Sequence, residues 1–331
     1  MIEGNILEGN MMGSNSDRNP GTQLDLDWVM GARINRSAVE RRVSTLPSRR
    51  SIKKEWQAAW LLRAITCMDL TTLSGDDTPG RVKRLCAKAR QPLRSDMLAA
   101  LNLEGQKITV GAVCVYPNRV REAAEALRGT DIPVASVATG FPAGQTPLAQ
   151  RVAEIEQAIE AGASEVDVVI PRYHVLTGDW RALYDEVKLF RETCGTSAHM
   201  KTILGVGDLA TLKQVFQASL VAMMAGSDFI KTSTGKESLN ATLEFGLVMV
   251  RAIREYHERT GFLVGFKPAG GISKAKQTLV WQALMKEELG DEWLMPDLFR
   301  IGASSLITDL ERQIYHYITG RYAARHHMPV A

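Results

Sequence analysis

The chain has little of what metal sites, disulfide frameworks and membrane spans require. Its 331 residues include four cysteines, Cys67, Cys86, Cys114 and Cys194, with no CxxC spacing, and six histidines with no HxxxH. Neither a zinc-type ligand set nor a disulfide framework can be read from that, so no metal is expected. No apolar run approaches the ~20 residues of a membrane span. Glu3 and Glu8 stand where a signal or transit peptide would carry basic and apolar residues, so a cytoplasmic, reducing setting is the expectation. The net charge is only +3, too small by itself to point to nucleic acid. What is present is ordinary: 45% hydrophobic and 23% charged residues, enough for one large domain or two small ones.

Residues 1–20, MIEGNILEGNMMGSNSDRNP, are rich in Gly, Asn and Ser, show no sustained period and are expected to be disordered. From Arg33 to Lys54 the chain is basic, with Arg36, Arg41, Arg42, Arg49, Arg50, Lys53 and Lys54. A solvated helix with its linker accounts for this run better than a nucleic-acid arm. Residues 1–50 are therefore read as an N-terminal extension, 51–322 as the main domain and 323–331 as a tail. The extension supplies no candidate site residue, so removal of residues 1–30 is expected to leave turnover largely intact.

After a helical stretch, EWQAAWLLRAI, eight strand-like runs alternate with helical segments: ITCMDL, ITVGAVCVY, PVASVATG, EVDVVI, HMKTILG, DFIKTS, LVGFKP and LFRIGA. One intervening helix is expected to start with Thr146 as N-cap and Pro147 at its first position, to bury Leu148, Val152, Ile155 and Ile159, and to stop at Gly162. Another is expected from Asp208 to about Ala225, with Gly226 as its stop. Eight such units over about 250 residues predict a (β/α)8 TIM barrel. A doubly wound sheet is the second choice.

Two of the runs carry a lysine inside apolar sequence. DFIKTSTGK, Asp228 to Lys236, holds Lys231, and VGFKPAGG, Val264 to Gly271, holds Lys267; both then break into glycine. An unpaired buried ammonium costs several kcal/mol. Snorkelling at a strand end would account for one such lysine, whereas two in consecutive strands call for chemistry. Amine nucleophile catalysis needs a neutral lysine to attack an aldehyde, and a neighbouring cation favours that form. At one level on adjacent strands the two backbones are about 4.8 Å apart. At roughly 5 Å and an effective dielectric of about 20 the repulsion is about 3 kcal/mol, enough to bring one of the pair from about 10.4 to about 8. Strand alternation that turns Lys231 and Lys267 inward also turns in Asp167 and Lys201, with Val166, Val168, Met200, Thr202, Ile230 and Phe266 facing the helices. Asp69, Cys114 and Arg300 are candidates for the same interior.

Glycine and hydroxyl groups gather at the carboxyl ends of the last strands: Gly235 with Lys236, Gly270 with Gly271, and Gly302 with Ser304 and Ser305. Glycine lets backbone N–H groups approach an anion, and a helix starting near Ser304 adds its positive end. Loops after the seventh and eighth strands are the usual phosphate site of this fold, so a phosphorylated substrate is expected. Gly205-Val206-Gly207-Asp208-Leu209-Ala210 matches the GxGxxA dinucleotide fingerprint. Its acidic partner Asp228 begins a strand where the fingerprint needs it to end one, which argues against that reading.

With these motifs in order, MDLTTLSGDDT (Met68 to Thr78), VCVYP (Val113 to Pro117), VATGFPAG (Val137 to Gly144), EVDVV (Glu165 to Val169), FIKTSTGK, GFKPAGG and FRIGASSL, the chain resembles the deoxyribose-phosphate aldolase family of class I aldolases, in its longer eukaryotic type. The resemblance runs over roughly Lys53 to Tyr322. It implies a Schiff-base lysine at Lys231, a second active-site lysine at Lys267 and an acid/base aspartate at Asp167. It further implies phosphate contacts at Gly235, Lys236, Gly270, Gly271, Gly302 and Ser304, with Ser305 beside them, and substrate contacts at Lys201, Cys114 and Asp69. The implied reaction is reversible cleavage of 2-deoxy-D-ribose 5-phosphate to acetaldehyde and D-glyceraldehyde 3-phosphate. A small phosphorylated sugar is then the partner, with neither nucleic acid nor membrane required and a homo-oligomer an open expectation. Two features depart from the family pattern: Val206-Gly207-Asp208-Leu209 replaces a Thr-Gly-Glu-Leu type turn, and the tail ends His-His-Met-Pro-Val-Ala without the tyrosine of bacterial relatives. Other readings are a different lysine-dependent barrel enzyme, such as a transaldolase or dehydratase, and a catalytically idle barrel that acts as an interaction protein.

Overall fold

The computed structural model describes residues 18–49, 52–324 and 327–328. The disorder expected for residues 1–17 and the ends of the expected tail, 325–326 and 329–331, lie outside the described residues. Helices α1 (Leu26–Gly31), α2 (Arg36–Arg49) and α3 (Lys54–Thr66) precede β1 (Met68–Thr71). Then follow α4 (Pro79–Arg90), α5 (Ser95–Ala100), β2 (Ala112–Val115), α6 (Val120–Ala126), β3 (Val134–Ala138), α7 (Leu148–Glu160) and β4 (Glu165–Val169). The second half comprises α8 (Arg172–Thr177), α9 (Trp180–Cys194), β5 (His199–Ile203), α10 (Leu212–Met224), β6 (Phe229–Lys231), α11 (Leu243–Thr260), β7 (Gly265–Lys267), α12 (Ala275–Glu288), β8 (Ile301–Ala303) and α13 (Leu306–Thr319).

All eight expected strands form, pair in parallel and run in the order β7-β6-β5-β4-β3-β2-β1-β8. The ring closes between its ends, where the Phe266 N–H donates to Leu298 O at 2.9 Å, the Arg300 N–H to Phe266 O at 3.1 Å and the Gly302 N–H to Pro268 O at 2.9 Å. This is the expected TIM barrel. Outward-facing Val166, Val168, Met200, Ile230 and Phe266 are fully buried in the main core between strands and helices. At the lower end of the interior the ring of Phe229 sits opposite Gly265 in the β6–β7 register. A Cβ on Gly265 would lie 2.3 Å from that ring, so only glycine leaves the space it fills.

Two helix starts differ from expectation. α7 begins at Leu148 with Pro147, not Thr146, at the cap. The Thr146 side chain instead packs back against Gly140, which leaves its hydroxyl buried and unpaired. α10 begins at Leu212, where Thr211 accepts from the Gln214 N–H, while Asp208 ends a short 3-10 turn and is claimed by Arg172 at 2.9 Å.

Residues 18–49 pack onto the barrel. Val29, Val39, Val43 and Leu46 are buried, and Arg42 pairs with Glu287 at 2.8 Å and Glu288 at 2.9 Å on α12. Buried Asn19 donates its side-chain N–H groups to Met223 O (2.8 Å) and Ser227 O (2.9 Å), and its Oδ1 accepts from the Tyr256 hydroxyl at 3.1 Å. Its backbone N–H donates to Asp228 at 2.9 Å. Residues 18–30 are therefore part of the folded unit, and the expected tolerance of their removal gives way to a predicted loss of stability.

Candidate active site

Strand register stacks the interior charges in layers. Asp167 lies opposite Lys201, Lys201 opposite Phe229 and Ile203 opposite Lys231, and Lys231 opposite Lys267. Lys231 thus stands one inward-facing layer nearer the carboxyl ends of the strands than Lys201. The two lysines singled out in the sequence are level neighbours. Asp167 lies between them: Nζ of Lys231 and Nζ of Lys267 each donate to its Oδ2 at 2.7 Å. Lys267 also donates to Asp69. Lys201 donates to Asp167 at 3.1 Å and to Glu165, while Arg300 donates to Asp69 at 2.7 Å and to Glu165 at 2.9 Å.

Asp69, Asp167, Lys201 and Lys267 are fully buried. Burial pushes the Asp167 carboxyl upward, but Lys201, Lys231 and Lys267 outweigh it and hold the group well below the usual carboxylate range. Asp69 and Glu165 are likewise lowered, as Lys267 and Arg300 respectively overcome the cost of burial. For Lys267, burial favours the neutral amine, yet Asp167 and Asp69 win and raise it. Lys201 is raised for the same reason by Asp167 and Glu165. The bare-pair repulsion read from sequence is therefore incomplete, because Asp167 screens each ammonium from the other. Cys114 joins the interior beside Ala135 and Val137, and burial pushes its thiol up. Among the described residues no group of three or more His, Cys, Asp and Glu side chains is arranged to hold a metal ion.

Above this layer a cavity of about 420 Å³ opens at the carboxyl ends of the strands. Lys231 lines it; Lys201 and Lys267 do not. All the phosphate-site candidates line it as well: Gly235, Lys236, Gly270, Gly271, Gly302, Ser304 and Ser305. Gly270 and Gly271 adopt φ of +85° and +78°, a backbone that other residues take up with strain. Ser305 caps α13 without a side-chain bond, so the first amides of that helix are left for another acceptor. Nζ of Lys236 reaches across to Leu73 O at 3.0 Å. The Gly235 amide, expected to be free for an anion, instead donates to Glu237 at 3.2 Å.

Sequence reasoning left out Glu165 and Glu237. Glu165 had a signal, since it lies two residues before Asp167 and must face the same way. Gly205 and Gly207 of the apparent dinucleotide fingerprint serve loop packing: a Cβ on Gly207 would lie 1.9 Å from Leu239 O. Asp228, its supposed ribose partner, sits at the opposite end of the barrel, bound to Arg191 at 2.7 Å.

Residues 63–310 match the DeoC/LacD family aldolase model. The chain is 63% identical over 313 residues to a deoxyribose-phosphate aldolase of Mus musculus, covering 94% of this chain and 98% of that one. It is 60% identical over 318 residues to the Homo sapiens deoxyribose-phosphate aldolase, covering 96% and 100%. Among solved structures, the tetrameric deoxyribose phosphate aldolase of Aeropyrum pernix superposes with a TM-score of 0.57 at 23% identity, over 82% of this chain and 97% of that one.

Proposed function

From the premise that the chain belongs to the DeoC/LacD family of aldolases, we infer that it catalyses reversible aldol cleavage of 2-deoxy-D-ribose 5-phosphate to D-glyceraldehyde 3-phosphate and acetaldehyde. The observation that carries the chemistry is that Lys231 alone of the three interior lysines lines the cavity, while its Nζ shares Asp167 Oδ2 with Lys267. Neutral Lys231 adds to C1 of the open-chain aldehyde, and loss of water gives an iminium. A base takes the C3 hydroxyl proton as the C2–C3 bond breaks, releasing D-glyceraldehyde 3-phosphate and leaving an enamine. Protonation at C2 and hydrolysis then return acetaldehyde and the free amine. Asp167 is the proposed proton carrier, directly or through water, with Lys267 as its partner. The iminium is the electron sink, so neither a metal nor an organic cofactor has a task.

The substrate phosphate is proposed to sit against Gly270, Gly271, Gly302, Ser304 and Ser305, drawn by free amides and the start of α13, with Lys236 as its cation. Lys201, Asp69 and Cys114 do not line the cavity; the role proposed for them is support from beneath, where Lys201 holds Asp167, Asp69 holds Lys267 and Cys114 packs in the barrel interior. Four buried, unbridged cysteines fit a reducing compartment. Self-association into a homo-oligomer is also proposed, with light scattering as its check. The test of the chemistry is borohydride reduction in the presence of acetaldehyde, followed by peptide mapping. A two-carbon adduct on Lys231 is expected, and an adduct on Lys267 instead would reverse the roles.

A further inference from the structure

We propose that Glu237 is a positioning residue for phosphate recognition: its carboxylate draws the Thr234 and Gly235 amides out of the phosphate cavity and so leaves the Lys236 ammonium as the one donor that the β6 turn offers. This rests on the assignment of that cavity to the substrate phosphate. Glu237 Oε2 accepts from the Thr234 N–H at 3.0 Å, the Thr234 hydroxyl at 2.8 Å and the Gly235 N–H at 3.2 Å, and Oε1 accepts from the Thr234 N–H at 3.1 Å. The Lys236 N–H is taken by Thr234 Oγ1 at 3.1 Å. Every hydrogen-bond donor of residues 234–236 except the Lys236 ammonium is thus spent inside the turn. Thr234, Gly235 and Lys236 line the cavity while Glu237 does not. Glu237 lies on the far side, where its Oε1 is 3.3 Å from the place a Cβ on Gly205 would take. Charge-assisted bonds of this kind are about twice as strong as neutral ones, and they hold Gly235 at φ +83°, a residue otherwise free to turn over. Lys236 is then presented on a fixed backbone with its Nζ on a neutral carbonyl, Leu73 O. A phosphate oxygen is the better acceptor for that ammonium.

The experiment compares kcat/KM for 2-deoxyribose 5-phosphate with kcat/KM for unphosphorylated 2-deoxyribose. Glu237→Ala is expected to lower the ratio about tenfold, chiefly through KM for the phosphorylated sugar. Glu237→Gln, whose carbonyl oxygen still accepts from both amides, is expected to restore most of it. Lys236→Ala is expected to lower the ratio too, with no further fall when Glu237→Ala is added, because both changes act through one ammonium. Equal loss on the two substrates, an unchanged ratio, or full additivity in the double variant would overturn the role. Should Glu237→Ala fail to fold, Glu237→Asp keeps the charge but withdraws it from the amides. It is expected to lower the ratio where Gln does not, and the reverse order would overturn the proposal. A wild-type protein that does not cleave 2-deoxyribose 5-phosphate would sink the functional reading itself, whereas an active one with a ratio indifferent to position 237 would sink only the role of Glu237.

Discussion

Lys201, Lys231, Lys267 and Arg300 share the barrel interior with three carboxylates, Asp69, Glu165 and Asp167. With all seven ionised the cluster carries one surplus positive charge in a low-dielectric site, so one proton is the cheapest thing it can lose. Lys267 pairs with two carboxylates and Lys201 with three, and both are raised by them, while Lys231 pairs with one and borders the cavity. Lys231→Arg keeps the cation and removes the nucleophile, so kcat/KM is expected to fall by about 10⁴-fold or more, with no borohydride-trapped adduct. Lys267→Leu leaves three cations against three carboxylates. The surplus disappears and Asp167 Oδ2 loses one of its two lysine donors, so turnover is expected to fall while the borohydride-trapped adduct at Lys231 still forms; loss of that adduct would show that Lys267 carries part of the nucleophile's role. The two lysines and Asp167 were legible because an ionisable residue inside an apolar strand has few innocent explanations. Glu165 was legible in principle, since it lies two residues before Asp167 and faces the same way. Glu237 gave no signal, since its partners are backbone amides whose direction no side-chain pattern reports.

The strands were legible as elements because most are short apolar runs closed by glycine or proline, and eight of them in parallel admit few arrangements. Helix starts were less so, because a cap is decided by where the preceding loop packs: Thr146 had the right chemistry but lies against Gly140, and Asp208 was taken by Arg172. The N-terminal stretch misled for a related reason. Asn19 sits in sequence that reads as disordered, yet its partners Met223, Ser227, Asp228 and Tyr256 lie more than 200 residues away. Asp228 immediately precedes the strand that carries Lys231, so this hook steadies the lower end of β6. Asn19→Ala would leave the Ser227 carbonyl and the Tyr256 hydroxyl buried without their Asn19 partner, at a cost of about 2–4 kcal/mol in all, while Met223 O keeps the Gly226 N–H. A lowered urea midpoint with unchanged slope is the expected reading. A midpoint at the wild-type value would mean that the segment lies on the barrel without holding it.

For the molecule as a whole, the same buried charges set how it meets acid. Asp69, Glu165 and Asp167 are held below their ordinary range, so the stability they contribute is present above their unfolded values near pH 4 and is lost as pH falls through the lower folded ones. His199 acts earlier. Burial lowers it from 6.5 to about 4, although Asp228 pulls the other way. Asp228 does not outweigh burial, and its carboxylate is engaged by Arg191 at 2.7 Å and by the Asn19 and Met200 amides. The unfolded chain therefore takes up a proton at position 199 between pH 6.5 and about 4 that the folded chain refuses, and stability must fall as pH drops through that window. The shift is worth ~3 kcal/mol at most, spread over a range in which the three carboxylates do not yet titrate. Urea midpoints measured from pH 8 to pH 3 are expected to stay level to about pH 7, decline gently to about pH 4, and then drop steeply. His199→Gln is expected to abolish the gentle decline and leave the steep drop in place. A decline that survives this substitution would have to come from another group, and the burial of His199 would then have no bearing on how the barrel tolerates acid.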